Sequence, residues 1–253
     1  MRLLCLGDVV GTPGREVLER RLPGFREEHA IDFCIVNIEN IADGAGINKS
    51  SYKAIRDAGA DVCTTGDHVY RKADVLRLFK REPDRLLRPL NYPAKAAGKG
   101  LTVIDGVAVI NLQGRVFMEP SGDPFEAVDA ALSRLDAEIV VVDFHGEATS
   151  EKRAMGWHLD GRASALVGTH THVPTADEEV LPNGTAYISD LGMCGPYASV
   201  IGRNAPNVLK SMTTKMYAPF DVATDDVRAC GAIIDVDDAT GRATAIKRCT
   251  FTP

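Results

Sequence analysis

No apolar run in this sequence approaches the roughly 18 residues that a membrane-spanning helix needs, which excludes an integral helical membrane protein. The first residues enter a strand-like run at once, without the basic stretch and longer apolar segment of a secretory leader. Neither G-x-G-x-x-G nor a Walker motif occurs, so the turn Gly11-Thr12-Pro13-Gly14 is not read as a phosphate loop. The six cysteines include no C-x-x-C pair, and neither a zinc finger nor a disulfide framework is implied. Cys5, Cys34, Cys63, Cys230 and Cys249 lie in apolar runs, where a free thiol behaves as a small hydrophobe. Unpaired thiols suit a reducing compartment, and the expected location is the cytoplasm. Positive charge is also short: 29 Lys and Arg stand against 35 Asp and Glu, a net charge of −6. That balance argues against an extended nucleic-acid or membrane surface. A small phosphorylated ligand held through metal ions is still compatible with it, and self-association is left open.

What is present is ordinary for a soluble globular protein: 45% hydrophobic and 25% charged residues. No repeat or linker divides the 253 residues, so one domain, 1–253, is expected. Short buried strands are predicted at Arg2–Leu6, Asp32–Ile38, Asp61–Thr65, Glu138–Phe144, Ala163–Val167 and Thr185–Ser189. Helices are predicted from about Arg15 to His29, Ser50 to Ala58, Lys72 to Arg81, Pro124 to Leu135 and Ser150 to Leu159. Leu101–Leu112 alternates around Asp105-Gly106, and Arg228–Phe251 around Asp237–Gly241, as hairpins do. Arg85–Pro93 reads as an irregular strand edge, Asp190–Pro196 as a pocket-lining loop and Tyr197–Asp225 as a lid-like or contact segment. His29, closing a helix, and His158, on a helix face, read as packing or surface residues.

The chemistry gathers at strand ends. Gly168-Thr169-His170-Thr171-His172 follows a buried run, and residues i and i+2 of extended backbone share a face, so both imidazoles can converge. Asp8 follows the first strand, Glu39-Asn40 the second, Asp67-His68 the third, and His145 the run ending at Phe144. Each alone has a plain reading as a cap or a loop residue. Their recurrence at the edge where α/β folds place their sites is harder to ascribe to caps. Asp8, Glu39, Asn40, Asp67, His145, His170 and His172 offer oxygen and imidazole without thiolate, a set suited to iron, manganese or zinc. Seven ligands exceed one ion and fit two, bridged by a carboxylate. Such a pair acidifies water and neutralises charge during displacement at phosphorus. His68, not needed as a ligand, is placed to act as general acid.

Together these residues resemble the calcineurin-like metallophosphoesterases. More narrowly, Gly7-Asp8-Val9-Val10-Gly11, Asn37-Ile38-Glu39-Asn40, Val167 to Thr175 and Asp190 to Pro196 resemble the YmdB-type branch, over nearly the whole chain. The resemblance implies a four-layer α/β/β/α sandwich that hydrolyses 2′,3′-cyclic nucleotides and related phosphodiesters. It implies one ion on Asp8, Glu39, Asn40 and His172, and a second on the bridging Glu39, Asp67, His145 and His170. His68 would be the proton donor, and iron the usual metal, with manganese able to substitute. Two departures stand out. Val10 occupies the place of a histidine in the wider superfamily, with Asn40 as the replacement ligand, and Asp67 stands where the family has asparagine. The alternatives are a phosphomonoesterase or phosphoprotein phosphatase of the same superfamily, or a regulatory binding module with structural metals.

Overall fold

Hydrophobic residues on both faces of the first strand set the architecture. In β1 (Arg2–Leu6), Leu3 and Cys5 face one way and Leu4 and Leu6 the other, and all four are buried. A strand covered on both sides needs a layer above and below it. A computed structural model describes residues 1–253. After β1 come β2 (Asp8–Val9), α1 (Gly11–Glu28), β3 (Phe33–Asn37), α2 (Lys49–Asp57), β4 (Val62–Thr64) and α3 (Asp74–Arg81). Then follow β5 (Leu101–Ile104), β6 (Val107–Gln113), α4 (Pro124–Leu132), β7 (Ile139–His145), α5 (Thr149–Leu159) and β8 (Ala165–Thr169). The chain closes with β9 (Glu179–Val180), β10 (Ala186–Ile188), β11 (Met193–Pro196), α6 (Ala205–Thr214), β12 (Val227–Val236) and β13 (Ala243–Phe251).

One sheet runs β2-β11-β12-β1-β3-β4, with β13 on β12; the other runs β5-β6-β7-β8-β10-β9. Leu3, Cys5, Phe33 and Ile35 of the first sheet meet Val107, Val109, Val141 and Val167 of the second in one apolar layer. The opposite face of the first sheet packs Leu4, Leu6, Cys34 and Val36 against Leu18 and Leu22 of α1 and Ile55 of α2. The outer face of the second packs Ile110, Val142, Phe144 and Leu166 against Met155 and Leu159 of α5. The result is the α/β/β/α stack. No helix is long and apolar enough to cross a membrane.

β1, β3 and β4 are mutually parallel, as are β6, β7, β8 and β10. All the predicted strands and helices form. Helix α1 starts earlier than predicted, at Gly11, because Pro13 sits in its first turn, where a missing N–H costs nothing. Asp190–Pro196 is only partly loop. Met193–Pro196 is strand β11, paired to β2 and β12, and its Gly195 and Pro196 hide the strand pattern. The segment Tyr197–Asp225 contains α6, capped by Asn204, whose exposed Leu209 and Met212 blur its apolar period.

Candidate metal centre

Strand alternation carries polar side chains into the space between the sheets at their carboxyl ends. Asn37 of β3, Thr64 of β4, Asp143 of β7 and Thr169 of β8 follow the inward-facing apolar residues of their strands, and all four are buried. Asp143 accepts from Thr64 Oγ1, from Asn37 Nδ2 at 3.1 Å and from Thr169 Oγ1 at 2.7 Å. Burial pushes its carboxyl up, against these hydrogen bonds. Thr169 Oγ1 also lies 2.9 Å from His145 Nδ1, which turns Nε2 of that ring toward the sheet edge. This plug ties the two sheets together directly beneath the site.

Above it, Glu39, Asp67, His145 and His170 bring one ligand-type atom each to within 4.8 Å of one another, a cluster that could hold a metal ion. His145 Nε2 is 3.3 Å from Glu39 Oε2 and 3.2 Å from Asp67 Oδ1, and His170 Nδ1 is 3.1 Å from His145 Nε2. Gly66 has to lack a side chain here: a Cβ would stand 2.4 Å from Glu39 Oε2 and 2.2 Å from His145 Nε2. Beside the cluster, Asn40 Nδ2 lies 2.9 Å from Glu39 Oε1 and 3.2 Å from His172 Nε2, while Asn40 Oδ1 lies 2.6 Å from His68 Nδ1. His172 Nδ1 donates to Ile201 O at 2.9 Å, so its Nε2 presents a lone pair inward.

The His170–His172 turn is held by force. His170 and His172 have φ of 103° and 65°, a region that non-glycine residues enter at a cost. Asp8 Oδ2 accepts from His170 N at 3.0 Å, and Asp190 Oδ2 from Thr171 N at 3.0 Å. Asp190 is itself paired with buried Lys152, whose Nζ also donates to Thr169 O at 2.8 Å. Glu147 Oε2 stands 3.0 Å from His170 Nε2, on the outer side of that ring. Lys152, Glu147, Asp143 and Asn37 have no part in the sequence-level ligand set.

The electrostatics ask for a cation. Asp8, Glu39 and Asp67 lie together, two of them fully buried, and none is ion-paired to a lysine or arginine. Burial pushes the Asp8 carboxyl up to about 6, and its Oδ1 makes no hydrogen bond. Burial also opposes the charge on Glu39 and Asp67, yet His145 holds both below the usual carboxylate range. Burial opposes the imidazolium of His145 too, but Glu39 and Asp67 hold that ring well above its usual value. Burial, and then the charge of His145, push His170 down to about 4. The carboxylates thus favour positive charge at the position of His145. Metal ions would supply that charge and give Asp8 Oδ1 a partner, so the residues fit the group.

All eight residues singled out from the sequence meet at this edge. Four form the tight cluster, while Asp8, Asn40 and His172 flank it and His68 adjoins Asn40. His158 lies elsewhere, 2.8 Å from Asp129 on the helical surface, and all six cysteines are free.

Residues 4–249 match the model of the YmdB-like protein family. The chain is 42% identical over 254 residues to a 2′,3′-cyclic-nucleotide 2′-phosphodiesterase of Bacillus subtilis, covering 98% of this chain and 96% of that one. A crystal structure of a hypothetical protein from Thermus thermophilus superposes with a TM-score of 0.93 at 39% identity, covering 99% of each chain. That of a Mycoplasma pneumoniae protein described as a novel phosphatase gives 0.93 at 31% identity, covering 99% of this chain and 93% of that one.

Proposed function

The chain belongs to the YmdB-like protein family, and on that premise we propose that it is a metal-dependent phosphodiesterase that opens 2′,3′-cyclic nucleotides and related phosphodiesters. The observation that carries this reading is the uncompensated carboxylate–imidazole cluster, with an orphaned Asp8 oxygen beside it, in a chain so similar to a cyclic-nucleotide phosphodiesterase. Asp8, Glu39, Asn40 and His172 would hold one ion, and Glu39, Asp67, His145 and His170 the other; the donors suit iron, manganese or zinc, and the family resemblance points to iron, with manganese able to substitute. Bound there, the ions supply Lewis acidity, lowering the pKa of water and neutralising the charge that builds on phosphoryl oxygens.

The chain's own residues do the rest. His68 Nε2, 3.6 Å from Asp67 Oδ2 and so not hydrogen-bonded to it, is the atom free to give a proton to the leaving 2′ oxygen. As the amide stands, its oxygen faces His68 and its nitrogen faces His172 and Glu39. His68 Nδ1 donates to that Asn40 oxygen, which leaves Nε2 as the ring nitrogen open to the substrate. A charged ring held in this way gives up the Nε2 proton to the leaving oxygen and is left as neutral imidazole. The P–O2′ bond breaks, water supplies the new oxygen on phosphorus, and a 3′-phosphate remains.

The test is a turnover screen of 2′,3′-cyclic nucleotides, linear diesters and monoesters, with metal analysis of the protein as purified. Turnover of cyclic diesters with about two ions per chain is expected. Turnover of monoesters alone would favour the phosphatase reading, and bound metal with no hydrolysis at all a structural role.

Two substitutions probe the ligand set. Glu39→Gln is expected to lose more metal than Asp8→Asn, because only Glu39 touches both proposed positions. Equal retention by elemental analysis would argue against bridging. Asp67→Asn is expected to keep both ions through the amide oxygen while removing one negative charge. The acid limb of the pH–rate profile should then move to lower pH. Loss of one ion would show that the carboxylate charge is required at this position.

A further inference from the structure

A second cavity, of about 370 Å³, opens on the far side of Asp67. Its wall includes Tyr70, Arg71, Tyr92, Gln113 and Glu119. The cavity that holds His68, Glu39, His170 and His172 is a separate one, so the two meet across the consecutive residues Asp67 and His68. Gln113 is the register partner of His145 across β6 and β7, which places this wall one strand away from the cluster.

The lining is pre-organised. Tyr92 OH donates to Gln113 Oε1, and Gln113 Nε2 to Glu119 O at 3.4 Å. Tyr70 OH donates to Ala97 O at 2.6 Å. Both hydroxyls are therefore used internally, and the two rings, with centroids 6.2 Å apart, form a fixed aromatic wall. The Arg71 guanidinium and the Glu119 carboxylate make no ion pair or hydrogen bond with the protein. With Asp67 turned to the metal cluster and Glu119 set against one arginine, the cavity offers no surplus positive charge for a second phosphate. It suits a flat, uncharged group carrying N–H donors.

Resting on the phosphodiesterase reading above, we infer that this cavity is the nucleobase subsite and that its unpaired carboxylate and guanidinium select guanine. In a 2′,3′-cyclic nucleotide the base is borne on C1′, next to the carbon that carries the 2′ ester oxygen, so it lies one ribose ring from phosphorus. A base held beyond Asp67 leaves the cyclic phosphate at the cluster with His68 beside its leaving oxygen. Stacking on a tyrosine ring serves any base. Guanine alone among the four common bases offers two N–H donors on adjacent positions, N1 and N2, for a carboxylate. Its O6 and N7 are the acceptors that arginine recognises.

The experiment compares kcat/KM of the metal-loaded protein on the four 2′,3′-cyclic nucleotides and on methyl riboside 2′,3′-cyclic phosphate, which has no base. Calorimetric binding of guanosine 3′-phosphate and ribose 3-phosphate is measured in parallel. Guanine is expected to lead uracil by roughly tenfold, the scale of one bidentate contact. Tyr70→Ala, at a position 39% exposed, should lower kcat/KM on every nucleotide by about tenfold and leave the base-free substrate unchanged. Glu119→Gln should erase the lead of guanine and weaken guanosine 3′-phosphate binding without affecting ribose 3-phosphate. The subsite is refuted if base-free and nucleotide substrates turn over alike, or if the variants slow both equally. If no diester is hydrolysed, the phosphodiesterase reading fails, and the binding measurements then decide the subsite: equal affinity for the two monophosphates refutes it.

Discussion

Replacing His68 with alanine is expected to lower kcat on a 2′,3′-cyclic nucleotide by on the order of 10²–10⁴, the worth of a positioned acid. KM and metal content should stay near those of the parent protein. The expectation follows from where the ring stands. His68 is half-buried, its backbone N–H donates to Glu39 Oε2 at 3.1 Å, and Nδ1 is taken by Asn40, so Nε2 alone is free. A general acid acts as the leaving oxygen gains charge, and its removal therefore lowers kcat rather than substrate binding. A diester with a nitrophenyl leaving group needs little protonation and should be largely rescued in the variant. An equal deficit on good and poor leaving groups, or loss of metal, would reduce His68 to a support for Asn40. The proton would then come from elsewhere.

The strand-end residues were legible because both periodicity and chemistry mark them. An apolar run that stops at a Gly, Asp or His announces an edge, and parallel strands put all such edges on one side. The layer beneath the site was not legible. Asp143 sits inside Ile139–His145, a run whose pattern reads as uniformly buried, and only the partner sheet shows that Asn37, Thr64 and Thr169 satisfy it. Glu147 and Lys152 look like solvated charges at the start of a helix. Lys152 is 1% exposed because α5 lays it along β8, a fact of tertiary packing without local signature. The late segment was obscured for a different reason. Gly192, Gly195 and Pro196 mask a strand, and α6 leaves Leu209 and Met212 exposed, so neither shows a clean period.

Lys152→Met should produce the largest loss of stability among substitutions that leave every proposed ligand in place. Lys152 Nζ donates to Asp190 Oδ2 at 2.7 Å, and both side chains are 1% exposed. Removing the cation leaves a buried carboxylate unpaired, which costs about 3–5 kcal/mol. For a domain of this size that corresponds to a fall in Tm of roughly 6–20 °C. The damage should also reach the metal centre. Asp190 holds Thr171 N between two histidines at positive φ, so a displaced Asp190 releases the strained turn. Metal affinity should fall although no ligand has changed, as measured by competition with a chelator. The double variant Lys152→Met with Asp190→Asn separates the two effects. A neutral amide can still accept from Thr171 N and requires no counter-charge, so part of the lost Tm should return. If Lys152→Met melts within about 2 °C of the parent protein, well below the shift that breaking a buried pair implies, the pair is not what holds the turn. The strain at His170 and His172 would then be borne by Asp8 and the bound ions alone.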